Sequence, residues 1–313
     1  MLRAMDSAVA GLRSHQSKLD VIGNNIANVN TFGFKTQNYN FKEAMYQTST
    51  ASTGGSSSAG GTNAAQFGYG TMTGSITTDM TAGTPSYVGG LNATINGQGF
   101  FVTYSSNVAG GITPTALKSM DLDYSRVGQF SIDSNGFLVD SSGNFVYGFR
   151  PSTTGGVTTF TGNLCPLRAP KPGDLESWSD TTGADQAVEL GSVQINSLGE
   201  ITATVKSSGT DTDVGKTISL GKVAIATFQN PEGLTKKGGY YYGATSGDNS
   251  GAYSATIPGG TTAQLMTGYI EASNVDLAKE FADMITTQRG FQANTKMITV
   301  SDEILNELVN MKR

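Results

Sequence analysis

Both ends of the chain carry a hydrophobic repeat with alternating spacings of three and four, and the long middle between them reads as glycine-rich β-structure. At the start, positions 2, 5, 9, 12, 16, 19, 23 and 26 hold Leu2, Met5, Val9, Leu12, Gln16, Leu19, Gly23 and Ile26. At the end, the same rhythm runs through Leu277, Phe281, Met284, Gln288, Phe291, Thr295, Ile298, Asp302, Leu305 and Val309. Six of the first eight and seven of the last ten are apolar, enough to define a seam at each end. Such a seam suits helices that pack at a shallow angle against other helices. Two seams at opposite ends of one chain meet only if the middle folds out between them, as in a subunit of an assembly. A helical hairpin closing a monomer is the plainer alternative.

The bulk numbers narrow the chemistry. A chain of 313 residues can bury one or two cores. Charged residues make up 14%, against about 25% in an average domain, and the 41 glycines are nearly twice the usual ~7%. The body is therefore turn-rich and weakly charged. A net charge of −5 without a long basic run argues against nucleic acid or an anionic membrane surface as a partner. The single cysteine, Cys165, and single histidine, His15, cannot form a zinc cluster at ligand spacing, so metal and redox roles are not expected. Asp6, Arg13, His15, Lys18 and Asp20 interrupt the apolar run of roughly 7–15 residues that a cleaved export signal needs. No stretch approaches the ~20 apolar residues of a membrane span, so no membrane insertion is expected.

The spacing predicts a first helix over residues 2–26, ending where Asn24, Asn25 and Asn28 compete for backbone hydrogen bonds. A turn is expected at Gly33. Residues 49–62 are almost entirely Ser, Thr, Gly and Ala and read as a mobile loop, since they bury too little to offset their ordering entropy. Alternating apolar positions mark strands at 93–96, 100–104, 129–133, 137–139, 145–147, 193–195, 200–205 and 222–228, and Asn/Asp/Gly turns between several of them predict antiparallel hairpins. The closing helix starts after Ser273 or Asn274 as cap, with Asp276 in its first turn and Lys312 and Arg313 at the far pole. Ile285, Ile304 and Leu308 widen its apolar stripe enough to reach more than one neighbour. Four parts follow: a discontinuous helical domain, 1–30 plus 275–313; a connecting segment with a flexible loop, 31–66; a β-domain, 67–149 plus 188–274; and an insertion or long connection, 150–187, which holds Cys165 and Trp178.

Catalytic readings fail one by one. The only imidazole lies on a helix flank without a nucleophile at triad spacing. Gly97 and Gly99 lack the third glycine of a dinucleotide loop and read as a strand-entry turn. Asp133, Asn135 and Gly136, like Asp140, Gly143 and Asn144, lack the closing glutamate of a calcium loop and read as tight turns. Asp121 and Asp123 show no partner for acid–base work. Cys165 reads as a small buried hydrophobe, with an intermolecular crosslink as the alternative. The run Tyr240-Tyr241-Tyr242 reads as a strand edge, or as the sugar-stacking face of a secreted adhesin or carbohydrate-binding module.

The stretch from Leu19 to Lys35, with Asn24, Asn25, Asn28, Gly33 and Phe34, resembles a signature of the bacterial flagellar rod and hook axial proteins, and Ser273-Asn274-Val275-Asp276-Leu277 resembles another. Met284 to Thr295 and Ser301 to Arg313 are more similar to hook members, whereas Gly97-Gln98-Gly99-Phe100-Phe101 and Asn230-Pro231-Glu232-Gly233-Leu234 are common to hook and distal rod. Residues 150–187 are too few for the large outer domain of many hook proteins, which keeps the distal-rod alternative open.

The resemblance implies a mixed α and β fold. Terminal helices form a coiled-coil-like inner domain, outside which lies a mainly antiparallel β middle. It implies no enzyme and no cofactor. It implies a homopolymer of many copies forming the flagellar hook, a flexible joint that passes torque from rod to filament. Distal rod, hook cap and hook–filament junction proteins would be its partners. The subunit would leave the cell through the flagellar type III apparatus without a cleaved signal and lie outside the cell. Its weakly charged surface suits contacts that slide at low cost. The subunit interface expected on this basis comprises Leu2, Met5, Val9, Leu12, Leu19, Ile22 and Ile26 with Leu277, Phe281, Met284, Ile285, Phe291, Ile298, Leu305, Leu308 and Val309.

Overall fold

The computed structural model describes residues 2–55, 60–108, 110–154, 157–160, 162–170, 189–207, 214–259 and 262–311. They form two compact units: Met1–Val29, Thr36–Asp79 and Val275–Arg313 in one, Asn30–Lys35 and Met80–Asn274 in the other. Two terminal helices and a mainly antiparallel β middle make the fold mixed α and β. Among the described residues, no helix is long and apolar enough to cross a membrane.

The helical unit holds α1, Leu2–Ala27, and α2, Leu277–Met311. The start of α2 differs from the expected cap. Asp276 caps it, its Oδ1 accepting from the amides of Ala278 (2.9 Å) and Lys279 (3.3 Å), because a carboxylate there meets two otherwise orphaned donors. Lys312, Arg313 and Trp178 lie outside the described residues.

Residues 37–53 and 62–78 form a long antiparallel ribbon in this unit, where the sequence suggested a connecting segment. Gln37–Glu43 pairs with Thr71–Thr78, and Tyr46–Thr50 pairs with Ala65–Gly68 farther out. The bonds Ala44 N to Gly70 O (2.8 Å) and Tyr69 N to Met45 O (3.1 Å) carry the pairing across the interruption. Thr53 and Thr62 then exchange both backbone bonds, at 3.0 and 3.2 Å, and their hydroxyls meet at 2.7 Å. Threonine is β-branched and suits a strand, so pairing satisfies this polar stretch without a core. Positions 56–59, within the expected mobile loop, lie outside the described residues.

The β unit is built on a thirteen-stranded sheet in which every described pairing is antiparallel. Phe100–Tyr104 lies near its centre, between Phe145–Phe149 and Asp123–Ser125. The run Phe100-Phe101-Val102 is buried throughout because the sheet has a core on each face. Phe101 joins Val146, Leu167, Ile201 and Ile225 on one side; Phe100 and Val102 join Leu122, Tyr124, Tyr147 and Phe228 on the other. The expected strand 222–228 divides at Ala224 into Thr217–Val223 and Ile225–Phe228. Gly99, with φ of 138°, stands where a Cβ would be 2.3 Å from Ile225 Cγ2, so the strand-entry turn needs glycine.

Residues 150–170 supply a short hairpin, Ser152–Thr154 with Val157–Thr159, and then return to the sheet through Cys165–Pro166. Leu164, Leu167 and Ala169 are buried in the cores, so this part of the expected insertion completes the β unit; positions 171–187 lie outside the described residues. The two calcium-like fragments are turns closed by their own aspartates. Asp133 Oδ1 accepts from the amides of Asn135 and Phe137, and Asp140 Oδ1 from those of Ser142 and Asn144.

Candidate functional site

The expected interface lies in the helical unit, where α1 and α2 run antiparallel. Gly11 faces Asn294, His15 faces Gly290 and Asn25 meets Glu280, each step along α1 being matched by the same step back along α2. On α2 the residues turned inward are Glu280, Met284, Thr287, Phe291, Asn294, Ile298, Ser301 and Leu305, a repeat of four and three with polar or small side chains at alternate positions.

On α1 the inward positions are Ala8, Gly11, His15, Lys18, Ile22 and Asn25, one residue before the expected stripe. Of that stripe, Met5, Val9, Leu12, Leu19 and Ile26 are half-buried, and only Ile22 of the expected α1 interface set is fully inside. The side chain of Leu2 lies outside the described residues. Within one chain, mostly small and polar groups of α1 thus meet a stripe of α2 that alternates polar and apolar side chains. Most of the larger apolar side chains are left partly open.

Those on α2 fall into two flanks. At 3.6 residues per turn, Leu277, Phe281 and Ile285 stand roughly a quarter-turn to one side of the inward line, and Met297, Val300, Ile304 and Leu308 roughly a quarter-turn to the other. All seven are exposed, Phe281 by 50% and Ile285 by 58%. In the same register Leu308 and Val309 run past the start of α1, and Val309 is 67% exposed. Met284, Phe291, Ile298 and Leu305 are half-buried.

The asparagine signature is structural. Asn25 is buried, and its side-chain amide takes both backbone groups of Gln37, accepting from its N–H at 3.0 Å and donating to its carbonyl at 2.9 Å. The same Nδ2 donates to Glu280 Oε1 at 3.1 Å, so one side chain joins α1, the ribbon and α2. Asn28 Nδ2 donates to the carbonyl of Asn24 (2.9 Å), one of the side-chain bonds to backbone expected at the helix end. Glu280 has its carboxyl raised above the usual range by burial, with the charge of Asp283 adding to it. His15, half-buried and in contact with Phe41 at 5.3 Å, is lowered by burial and then by Lys18. A cleft of about 410 Å³ lies between these elements, lined by Lys18, Tyr39, Lys279, Glu280 and Asp283 among others.

In the β unit, Gly33 (φ 67°) donates to the carbonyl of Glu271 at 2.8 Å, and a Cβ there would come within 2.6 Å of Val127 Cγ2. Phe34 lies under the ammonium of Lys236, 4.7 Å from the ring centroid. Asn274 Nδ2 donates to Thr81 Oγ1 (3.3 Å), and Ser273 and Val275 are half-buried. The tyrosine run offers no open platform: Tyr242 is buried, Tyr241 Oη donates to Asp140 Oδ2 at 2.5 Å and Tyr240 bonds with Ser141 and Ser142. Lys237 bridges Asp121 and Asp123, each at 2.7 Å.

Residues 5–35 match the family model described as flagella basal body rod protein, and residues 266–311 match that described as flagellar basal body rod FlgEFG protein C-terminal. The chain is 38% identical over 316 positions to the flagellar basal-body rod protein FlgG of Bacillus subtilis, covering all of both chains. It is 29% identical over 308 positions to FlgG of Caulobacter vibrioides, covering 97% of each. To the flagellar hook protein FlgE of Borreliella burgdorferi it is 27% identical, but that alignment runs to 455 positions, covering all of both chains.

Proposed function

The chain belongs to the family of flagellar basal-body rod and hook proteins, and we propose that within it the chain is a distal-rod subunit polymerising with copies of itself. It is a structural component of the flagellar axis and not an enzyme. The observation that carries the rod reading is length. The alignment with the Bacillus subtilis rod relative covers all of both chains in 316 positions, three more than this chain has, whereas that with the hook relative runs to 455. This replaces the hook as the favoured member and supports the alternative that the short 150–187 segment kept open. The adhesin reading loses its basis with the engaged hydroxyls of Tyr240 and Tyr241.

In this reading, other copies cover the two apolar flanks of α2 and the half-open Val9, Leu12, Leu19 and Ile26 of α1. Helices gain most of their stability from tertiary packing, so assembly completes what the single chain leaves partly covered. Neighbouring rod proteins and the hook then adjoin the polymer, and cap and junction proteins lie farther out. Export proceeds through the flagellar type III apparatus.

Electron microscopy of basal bodies from a strain lacking this chain tests the assignment. The expected result is loss of the distal rod and of everything beyond it. An intact rod lacking only the curved hook would overturn the rod reading and restore the hook.

A further inference from the structure

Lys35, Arg126 and Glu271 form a buried triad in the β unit that neither the family match nor assembly accounts for. The Lys35 ammonium donates to Glu271 Oε1 at 2.6 Å, and Arg126 Nε donates to Glu271 Oε2 at 2.8 Å. Lys35 and Glu271 are each 1% exposed and Arg126 2%. Further hydrogen bonds surround the three charges: Gly83 N–H donates to Oε1 (2.8 Å), Lys35 Nζ to the carbonyl of Thr81 (2.6 Å), and Arg126 Nη1 to the carbonyls of Gly97 and Gly99 (2.8 and 2.7 Å).

The sequence positions of these partners give the triad its meaning. Lys35 is the last residue before the chain passes to the helical unit at Thr36; Thr81 and Gly83 follow its return at Met80; Glu271 precedes its final departure at Val275. Backbone bonds at the same place hold Gly33 N to Glu271 O (2.8 Å) and Ala272 N to Thr84 O (3.0 Å). One carboxylate thus gathers three of the points at which the chain enters or leaves the β unit.

We propose that Glu271 is a positioning residue for those crossings: its carboxylate locks segments 33–35, 81–84 and 271–272 together, so that pull along the chain is borne at one buried point and the strands beyond are spared. Paired buried charges are costly to break singly, because each loss strands the remaining charge. The arrangement is thus stiff toward partial opening.

The test is amide hydrogen exchange on the full chain, comparing wild type with Glu271→Gln and Lys35→Met. The second variant leaves the Arg126–Glu271 pair in place and serves if the first fails to fold. We expect exchange at Gly33, Gly83 and Ala272 to rise at least tenfold in either variant, with Phe100–Tyr104 unchanged. Unchanged exchange at those three amides, or an equal rise throughout the β unit, would overturn the proposal, since the triad would then be either dispensable or a general stabiliser.

Discussion

Glu271 and Glu280 are both buried, yet their carboxyls are displaced in opposite directions. Burial alone raises each; for Glu271 the guanidinium of Arg126 and the ammonium of Lys35 outweigh it and the carboxyl falls, whereas Glu280 has the Asn25 amide but faces the like charge of Asp283, and stays raised. The linkage therefore differs in sign. Glu271 contributes stability that is present above the ordinary carboxylate pKa and lost as pH falls through its lower folded value. Glu280 contributes stability that is present below the ordinary value and lost as pH rises through its raised one. Asn25 lies where the second effect can be read. Asn25→Ala strips Gln37 of both side-chain partners and Glu280 of its donor, which should cost about 2–3 kcal/mol at pH 7. That deficit should narrow in acid as Glu280 is neutralised, a trend checked by urea melts of the two proteins across pH 4–7. A deficit that is constant with pH would mean that Asn25 acts through Gln37 alone.

At the scale of the elements, the helix pair is decided by its small residues. A Cβ on Gly290 would lie 2.6 Å from His15 Cε1, and one on Gly11 3.0 Å from Asn294 Nδ2. Gly290→Ala should destabilise the chain by about 1–2 kcal/mol, overpacking outweighing the ~1 kcal/mol that alanine gains over glycine inside a helix. In a His15→Ala background the clash is gone, and the same change should become stabilising; thermal unfolding of the four proteins gives the cycle. This also explains what the sequence made legible. The 3–4 spacing located both helices, and on α2 it found Met284, Phe291, Ile298 and Leu305, which do face inward. On α1 it missed by one residue because, of the inward positions, all but Ile22 (Ala8, Gly11, His15, Lys18 and Asn25) are small or polar and invisible to a search for large apolar side chains. The intervening polar positions on α2, Thr287, Asn294 and Ser301, were hidden for the same reason.

At the scale of the whole molecule, the hairpin turns and strand alternation made the β unit readable, and the terminal signatures made the family readable. The ribbon of 37–53 and 62–78 was not, since its Thr–Thr and Thr–Gln pairs carry no apolar alternation. Nor was the triad, whose three members are far apart in sequence and gain meaning only once the strands place them together. The central claim is that the flanks left open on the helices are covered by further copies. An electron cryomicroscopy reconstruction of the native polymer tests it most directly. It should show Leu277, Phe281 and Ile285 packed on one neighbouring copy and Val300, Ile304 and Leu308 on another, with His15 still seated on Gly290 of its own chain. Flanks facing solvent in the finished polymer, or an α1 that leaves its own α2 for another copy's, would contradict it.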